Sequence, residues 1–455
     1  MKPTRQNVND LYARAYQHHA KGDFALAMKK YQEILKVFPD HTGCLHNVAR
    51  LHMAVNNTSQ AIDTLNQVIR QNSQDWDALL YRAEAYRLTH KMDLALEDAH
   101  TSISIKPTAL AHNTLALVYR DTEQFDLADQ EWNTCLELEP DSKAKWAYNM
   151  GQSLLVQRDY ANGFRLLEGR RLVGIGQQRP QAENKPAWTG SDTCEGKSII
   201  MHWEQGVGDT IQMLRYAQVF KYMGAEYVAV VVQEELFMLA QGVPGVDLVL
   251  KDNEPWPLWD LHLSLMSAPR AARTLFQTIP WMGAYIRRKD EAATLTQARR
   301  VGLVWSGSQK LFHEELWHRP PKSRDISQET MLAWVNEVKA TYPDIEFVSL
   351  QVGRPIPKDS GLTLPELKDW EATASCIEDL DLVISVDTAV AHLAGAMNKP
   401  VWLLNRKATD WRWHLELETS PWYPSMTIFR QDTFMDWLPV LEQVKQRLGA
   451  VNGKA

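Results

Sequence analysis

Three stretches of this chain carry residue types at spacings that suit phosphate and proton chemistry. In the first, the apolar run Leu382–Ser385 is followed by Asp387-Thr388-Ala389, an Ala-rich helical segment, and a second apolar run, Val401–Leu404. Strand, turn, helix and strand predict a βαβ unit, whose ligands bind beyond the carboxyl ends of the strands. Free N–H groups at the helix start attract an anion, and Thr388 adds a hydroxyl donor. His392 lies four residues on and shares that face of the helix. A plainer reading has Asp387 cap the helix while His392 packs against it.

In the second stretch, the strand-like Ser198–His202 runs into Glu204-Gln205-Gly206-Val207-Gly208-Asp209 and a helix expected from Thr210 to about Met223, with Gln212 in its first turn. The loop lacks the third glycine of a dinucleotide fingerprint and the Lys-Ser/Thr of a P-loop. Asp209 singles it out. A carboxylate at a helix start caps it, and a partly buried one can also take a proton from an attacking hydroxyl. The two roles are compatible. In the third stretch, Val301–Ser308 is a strand entering a small-residue turn at Ser306-Gly307-Ser308, where backbone N–H groups can approach a phosphate. Lys310, Arg319, Lys322 and Arg324 follow in a Pro-rich loop and supply the cations a diphosphate requires. His313 to His318 imitates a zinc-protease motif but fails it, since the second His is five residues on and prolines follow.

Alternating strands and helices must position these loops. They fall into two series, 198–298 and 299–455, which predicts two doubly wound parallel sheets with a cleft between them. A polar, Pro/Gly-rich stretch at 173–197 reads as a linker. Upstream, Ala15, Ala49, Ala83 and Ala116 recur at 34, 34 and 33 residues, and Ala27, Ala61, Ala95 and Ala128 keep the same steps. Small residues at period 34 are the tetratricopeptide pattern of paired helices. A looser fifth unit at about 144–171 extends the expected helical solenoid over residues 1–172. The first helix of each pair lines such a solenoid's groove. In this frame Tyr12, Tyr16, His46, Arg50, Glu84, Arg87 and Arg120 fall near it, which suggests a protein or peptide partner.

Composition sets the outer limits. With 45% hydrophobic and 23% charged residues the chain is that of an ordinary globular protein, and its net charge of −7 gives nucleic-acid binding no global support. Four scattered cysteines without a CxxC pair argue against a disulfide framework or a structural zinc. No 18-residue apolar run is present, so no membrane span is expected and a cytoplasmic, reduced setting is the default. Most of the 17 tryptophans lie beyond residue 180 and are expected mainly in the core.

Taken together, His202 to Gln212 with Arg215-Tyr216, Val301–Ser308, Phe347–Gln351, Ile384–Leu404, Asp410-Trp-Arg-Trp413 and Ser420-Pro-Trp-Tyr-Pro424 resemble bacterial tetratricopeptide-repeat glycosyltransferases. Their catalytic half is similar to the heptosyltransferase-like GT-B enzymes. The resemblance implies two Rossmann-like domains, one facing the acceptor and the other holding a nucleotide-sugar donor. It implies neither metal nor cofactor. By motif it makes Asp209 the base and puts Gln205, Gly206, Gly208 and Gln212 around it. Ser306, with Lys310 or Arg324, falls to the diphosphate. Gln351 approaches the nucleotide base, and Asp387, Thr388, Ala389 and His392 form the phosphate-binding turn. The segment His318 to Asp325 departs from the family's Arg/Asn-rich loop, leaving the phosphate cation open among Lys310, Lys322 and Arg324. The implied acceptor is a protein captured by the repeats, flagellin being the first to name. A scaffold that binds nucleotide without catalysis, a lipid or polysaccharide acceptor, and homo-oligomerisation stay open.

Overall fold

The computed structural model describes residues 7–55, 57–174, 180–182, 185–287, 295–307 and 324–453. Contacts gather them into two compact units that divide between Trp146 and Ala147. Among the described residues no helix is long and apolar enough to cross a membrane.

The first unit holds four helix pairs: α1 (Val8–Ala20) with α2 (Phe24–Leu35), α3 (Thr42–Ala54) with α4 (Thr58–Gln71), α5 (Trp76–Leu88) with α6 (Met92–Ile105), and α7 (Ala109–Asp121) with α8 (Phe125–Leu138). Both alanine ladders are fully buried, from Ala15 to Ala116 on the first helices and from Ala27 to Ala128 on the second. A methyl lets the helices approach closely, and a larger side chain would overpack the crossing. The turn inside each described pair uses a left-handed residue in the same frame: Gly22 (φ 79°), His90 (59°) and Glu123 (65°). Arg158 (φ 70°) occupies the equivalent place between α9 (Lys143–Val156) and α10 (Tyr160–Leu167), so this fifth pair keeps the turn of the repeat.

Its packing differs. The unit boundary falls inside α9, and α10 gathers with the α/β part instead of closing a solenoid at 172. The cause lies in its side chains. Arg170, fully buried, forms an ion pair with Glu204 (Nε–Oε1 2.6 Å) and donates to Ser264 and Ser267. Tyr160 stacks on His414 and Trp422, with its hydroxyl 3.0 Å from His414 Nε2.

The α/β unit contains two parallel sheets. The first runs β1 (Ser198–His202), α11 (Val207–Met213), α12 (Tyr216–Tyr222), β2 (Tyr227–Val232), α13 (Phe237–Ala240), β3 (Leu248–Lys251), β4 (Leu261–Ser264) and α14 (Ala268–Ala271), with strand order β3-β2-β1-β4. The expected single helix after Asp209 is broken in two because Arg215 Nε takes the carbonyl of Gln212. The second sheet runs β5 (Arg300–Val304), α15 (Gln328–Thr341), β6 (Glu346–Ser349), α16 (Trp370–Glu378), β7 (Leu382–Val386), α17 (Ala389–Ala396), β8 (Val401–Asn405), β9 (Met426–Arg430) and α18 (Leu438–Val451), in order β6-β5-β7-β8-β9. β9 went unnoticed in the sequence because its apolar residues Met426, Ile428 and Phe429 are broken by Thr427 and closed by Arg430, and only Met426 and Ile428 are buried. Its partner β8, and β7 beyond it, are buried along their whole length, as parallel strands under two helix layers must be.

The stretch expected as a linker is partly built into the first sheet's flank: Trp188 is buried and donates its N–H to the carbonyl of His262 at 2.7 Å. Trp305, Trp413 and Trp422 are fully enclosed, in keeping with a mainly structural role for the tryptophans.

Candidate functional site

Each sheet reverses its winding once, between β1 and β4 and between β5 and β7. Crevices at such points are where open α/β sheets bind ligands. The Gly206–Asp209 turn follows β1, and the Ser306-Gly307 and Asp387-Thr388 turns follow β5 and β7. All three lie at a reversal point. Moreover, the start of α11 lies against the start of α17, and a Cβ on Gly208 would come within 2.9 Å of His392 Cδ2 and 3.3 Å of Ala389 Cα. Glycine at 208 is therefore a condition of this approach.

Asp209 sits at the third position of α11 and not at its cap. One carboxylate oxygen accepts the Gly206 N–H at 2.9 Å, which ties down the helix start, while the other is paired with Arg412. Arg412 is buried on the loop beyond β8. Its Nε donates to Gln212 Oε1 at 2.6 Å and its Nη1 to Asp410 Oδ1 at 2.9 Å. Burial raises the pKa of Asp209, Arg412 lowers it, Asp410 raises it again, and the balance is upward. Burial and Asp410 likewise push Asp387 up, against Arg324, Arg412 and Arg406. For Asp410 itself burial is outweighed by Arg412, whose charge and hydrogen bonds hold the carboxyl below its usual range.

The Asp387-Thr388 turn has a simple anatomy. Thr388 is the cap residue of α17 but makes no side-chain capping bond. Its hydroxyl lies 2.9 Å from Ser385 Oγ, which donates to the Val386 carbonyl. α17 ends at Ala396, and Asn398 just beyond it adopts φ 57°. His392 is buried with its Nδ1 2.9 Å from the Tyr423 hydroxyl, and burial lowers its pKa to about 3, so it is neutral at any physiological pH. That fits packing and hydrogen bonding, not a charged phosphate contact. Across the sheet, the Arg324 guanidinium lies over Gly307, where a Cβ would collide with it. Asp325 accepts the Gly307 N–H, and Gln351 Oε1 accepts the N–H groups of Trp305 and Ser306 (3.3 and 3.0 Å). Gln351 thus shapes the turn after β5. Ser306 is buried beside it. Gln205 contributes its carbonyl to Gln233 at 3.1 Å. Lys310 and Lys322 lie outside the described residues.

Three residues take partners that the sequence did not indicate. Glu204, the nearest other carboxylate to Asp209 in the sequence, is sealed into the Arg170 ion pair. Arg412 and Asp410 were legible only as part of an Asp-Trp-Arg-Trp motif without a role. Their signal is an Asp-x-Arg directly beyond the carboxyl end of a buried strand. Among the described residues no three His, Cys, Asp or Glu side chains are grouped to hold a metal.

In the repeat unit, Arg87 cannot serve as a groove contact. It is buried between Glu84 and Asp121, and Glu84 is buried with it. Arg120 pairs with Asp121, and His46 lies between Asp75 and Asp77. Arg50 pairs with Asp77 and covers the Tyr81 ring. Tyr12 accepts from Asn47 at 2.8 Å, whereas Tyr16 is 53% exposed. The sequence frame placed all these residues near one face. The charges turn out to knit consecutive repeats together.

Residues 18–85 match the tetratricopeptide repeat family, and residues 364–436 match glycosyltransferase family 9 (heptosyltransferase). The second match spans the Asp387-Thr388 turn, Asp410 and Arg412. This chain is a glycosyltransferase with a tetratricopeptide-repeat domain. Protein FlbA of Caulobacter vibrioides is similar over most of the chain, at 22% identity across 492 residues, 94% of this chain and 82% of FlbA. Among solved structures, MamA of Desulfovibrio magneticus RS-1 aligns at 16% identity with a TM-score of 0.31, over 36% of this chain and 95% of its own. A thermophilic TPR protein of Thermus thermophilus aligns at 16% identity with a TM-score of 0.33, over 36% and 90%.

Proposed function

We propose that this glycosyltransferase is a metal-independent enzyme of the GT-B type that moves a sugar from a nucleotide-diphosphate donor to a hydroxyl of a protein acceptor. The observation that carries the proposal is the meeting of the Gly206–Asp209 turn and the Asp387–Thr388 turn, each at the reversal point of its own parallel sheet. The donor's diphosphate takes the start of α17, where Thr388 and backbone N–H groups face it with Arg324 alongside. The acceptor oxygen attacks the anomeric carbon and its proton passes to Asp209. The bond from that carbon to the phosphate oxygen breaks, and the nucleoside diphosphate leaves with the electron pair. Cations and helix N–H groups stabilise the charge that develops on it. Such cations do the work that a metal ion does in other transferases.

The repeats supply the acceptor, flagellin being the first protein to test. Tyr16 is the exposed aromatic of the expected groove and Arg50 a partly exposed cation of it. Thermal-shift measurements against UDP, GDP, ADP and CMP identify the nucleotide, since a ligand bound only by the folded state raises its melting temperature. With that donor, the pair Tyr16→Ala and Arg50→Ala should raise KM for the protein acceptor and leave donor hydrolysis intact. Unchanged transfer would remove the repeats from acceptor recognition and favour a lipid or polysaccharide acceptor.

A further inference from the structure

We propose that Arg412 is a positioning residue that holds Asp209 in the donor-free enzyme and turns to the diphosphate when the donor binds, so that the base is released only in the loaded site. The inference rests on the transferase reading above. Its first ground is saturation. Every guanidinium nitrogen of Arg412 is engaged, Nε by Gln212, Nη1 by Asp410 and Nη2 by Asp209, and the backbone N–H of Arg412 also donates to Asp410 at 3.0 Å. While one Asp209 oxygen accepts from the guanidinium and the other from Gly206, the carboxylate's basicity is opposed by a full positive charge.

The second ground is charge balance. Three carboxylates (Asp209, Asp387, Asp410) share this pocket with three guanidinium groups (Arg324, Arg406, Arg412). A diphosphate adds two or more negative charges at the α17 start, next to Asp387, more than Arg324 offsets, and a second cation turned toward it lowers that repulsion. Arg412 is suited to the exchange. Asp410 tethers it through both side chain and backbone, so the guanidinium can turn without leaving the pocket.

The third ground is access. The side chains of Asp209 and Asp410 are 24% and 25% exposed, although Arg412 between them is only 8% exposed. The network is therefore open on the side of the carboxylates that a substrate must approach. The other charged or titratable groups near Asp209 are Glu204, held by Arg170, and Tyr148 of α9. His392, neutral, packs on Gly208. None of them can replace Arg412 on the carboxylate.

The test compares the wild type with Arg412→Gln and Arg412→Lys. Calorimetry with the nucleoside diphosphate found by thermal shift, and with the corresponding nucleoside, reads the phosphate contact. The pH profiles of kcat/KM for the donor and of kcat read Asp209 in the free and the loaded enzyme respectively. Arg412→Gln should weaken the diphosphate by about ten- to a hundred-fold and leave the nucleoside unaffected. Loss of the cation raises the pKa of Asp209, so the acid limb of kcat/KM should move to higher pH. The acid limb of kcat should stay, because in the loaded enzyme Arg412 has already left Asp209. Arg412→Lys should restore part of the diphosphate affinity, and it provides the same readouts if the Gln variant does not fold. Equal displacement of both acid limbs, or unchanged diphosphate affinity, overturns the proposal. A wild-type protein that binds none of the nucleotides overturns the transferase reading itself, a distinct result.

Discussion

Arg87 in the repeats and Arg412 in the α/β unit are chemically similar sites with opposite designs. Each is a buried guanidinium between two carboxylates. Around Arg87 the carboxylates are sealed too, Glu84 at 1% and Asp121 at 7% side-chain exposure, and each is engaged by arginine. Around Arg412 the carboxylates stay about a quarter exposed. A closed network can only hold helices in register. An open one presents a charged group whose partner can be exchanged for a substrate, at the cost of leaving carboxylates partly desolvated and unevenly matched. Burial of the arginine does not distinguish structure from chemistry here. The exposure of its partners does.

The largest effect that would break this comparison is on turnover. Asp209→Asn should lower transfer at saturating donor by roughly 10²–10⁴-fold. The Asn carbonyl can still accept the Gly206 N–H, so the helix start and the melting temperature should change little. Near-normal turnover in this variant would falsify the base assignment and make the Arg412 network structural like the other.

Next in size is the reciprocal experiment. Arg87→Ala leaves the buried Glu84 without its cation and Asp121 with Arg120 alone, and should cost about 3–5 kcal/mol in urea unfolding of the repeat unit, with nucleotide affinity unchanged. The pH dependence has a defined sign. Burial alone would raise Asp121, but Arg120 and Arg87 outweigh it and pull its pKa to about 2. Its contribution is therefore complete above the ordinary carboxylate value and is lost as pH falls from about 4 toward 2. An acid unfolding midpoint identical in wild type and Arg87→Ala would show that the sealed network contributes nothing.

What the sequence could reveal follows the same division. The alanine ladders and the apolar strand runs are one-dimensional signals of packing, repeating at 34 residues or filling whole strands, and the buried Ala15–Ala128 set and β1, β2, β5, β7 and β8 lie where those signals put them. The loops after β1, β5 and β7 were visible because small residues follow each strand, with Asp209 after β1 and Asp387 after β7. Arg412 was not. It is 203 residues from Asp209 in the chain, and only the fold of both sheets brings them together. Arg87 was misread as a groove residue because helical phase gives its direction but not the Asp121 of the next repeat that covers it. The helix pair at 144–171 kept its repeat turn, while the partners that draw it to the α/β unit, Glu204 and His414, lie 34 and 254 residues beyond Arg170 and Tyr160.

A smaller effect sharpens the geometry of the open site. Gly208→Ala sets a methyl against His392 and Ala389, so either α11 or α17 must yield. Overpacking of this kind costs about 1–3 kcal/mol. The expected outcome is a lowered melting temperature together with weakened nucleotide binding, because the start of α17 is part of the phosphate turn. Stability lost without any change in nucleotide affinity would separate the Gly loop from the donor site.

The smallest predicted effect lies back in the repeats, at a pair that is neither sealed nor open. His46 on α3 has its Nε2 3.1 Å from Asp75 and its Nδ1 3.2 Å from Asp77, both in the next repeat, with Arg50 also on Asp77. Burial lowers its pKa, but the hydrogen bonds and charges of Asp77 and Asp75 more than offset this, and the net movement is upward. A histidine whose folded pKa is raised contributes its full stabilisation below the ordinary value of about 6.5 and loses it as pH rises through the folded value. The contribution is about 1 kcal/mol or less, the scale of a partly exposed ion pair. His46→Gln should therefore melt below the wild type near pH 6, and the gap should close above neutral pH, with turnover per folded molecule unaffected. A gap that stays constant with pH would mean that His46 acts through packing against α5, not through its charge, and the polar link between the second and third repeats would then rest on contacts such as Arg50–Asp77 and Arg82–Asn66.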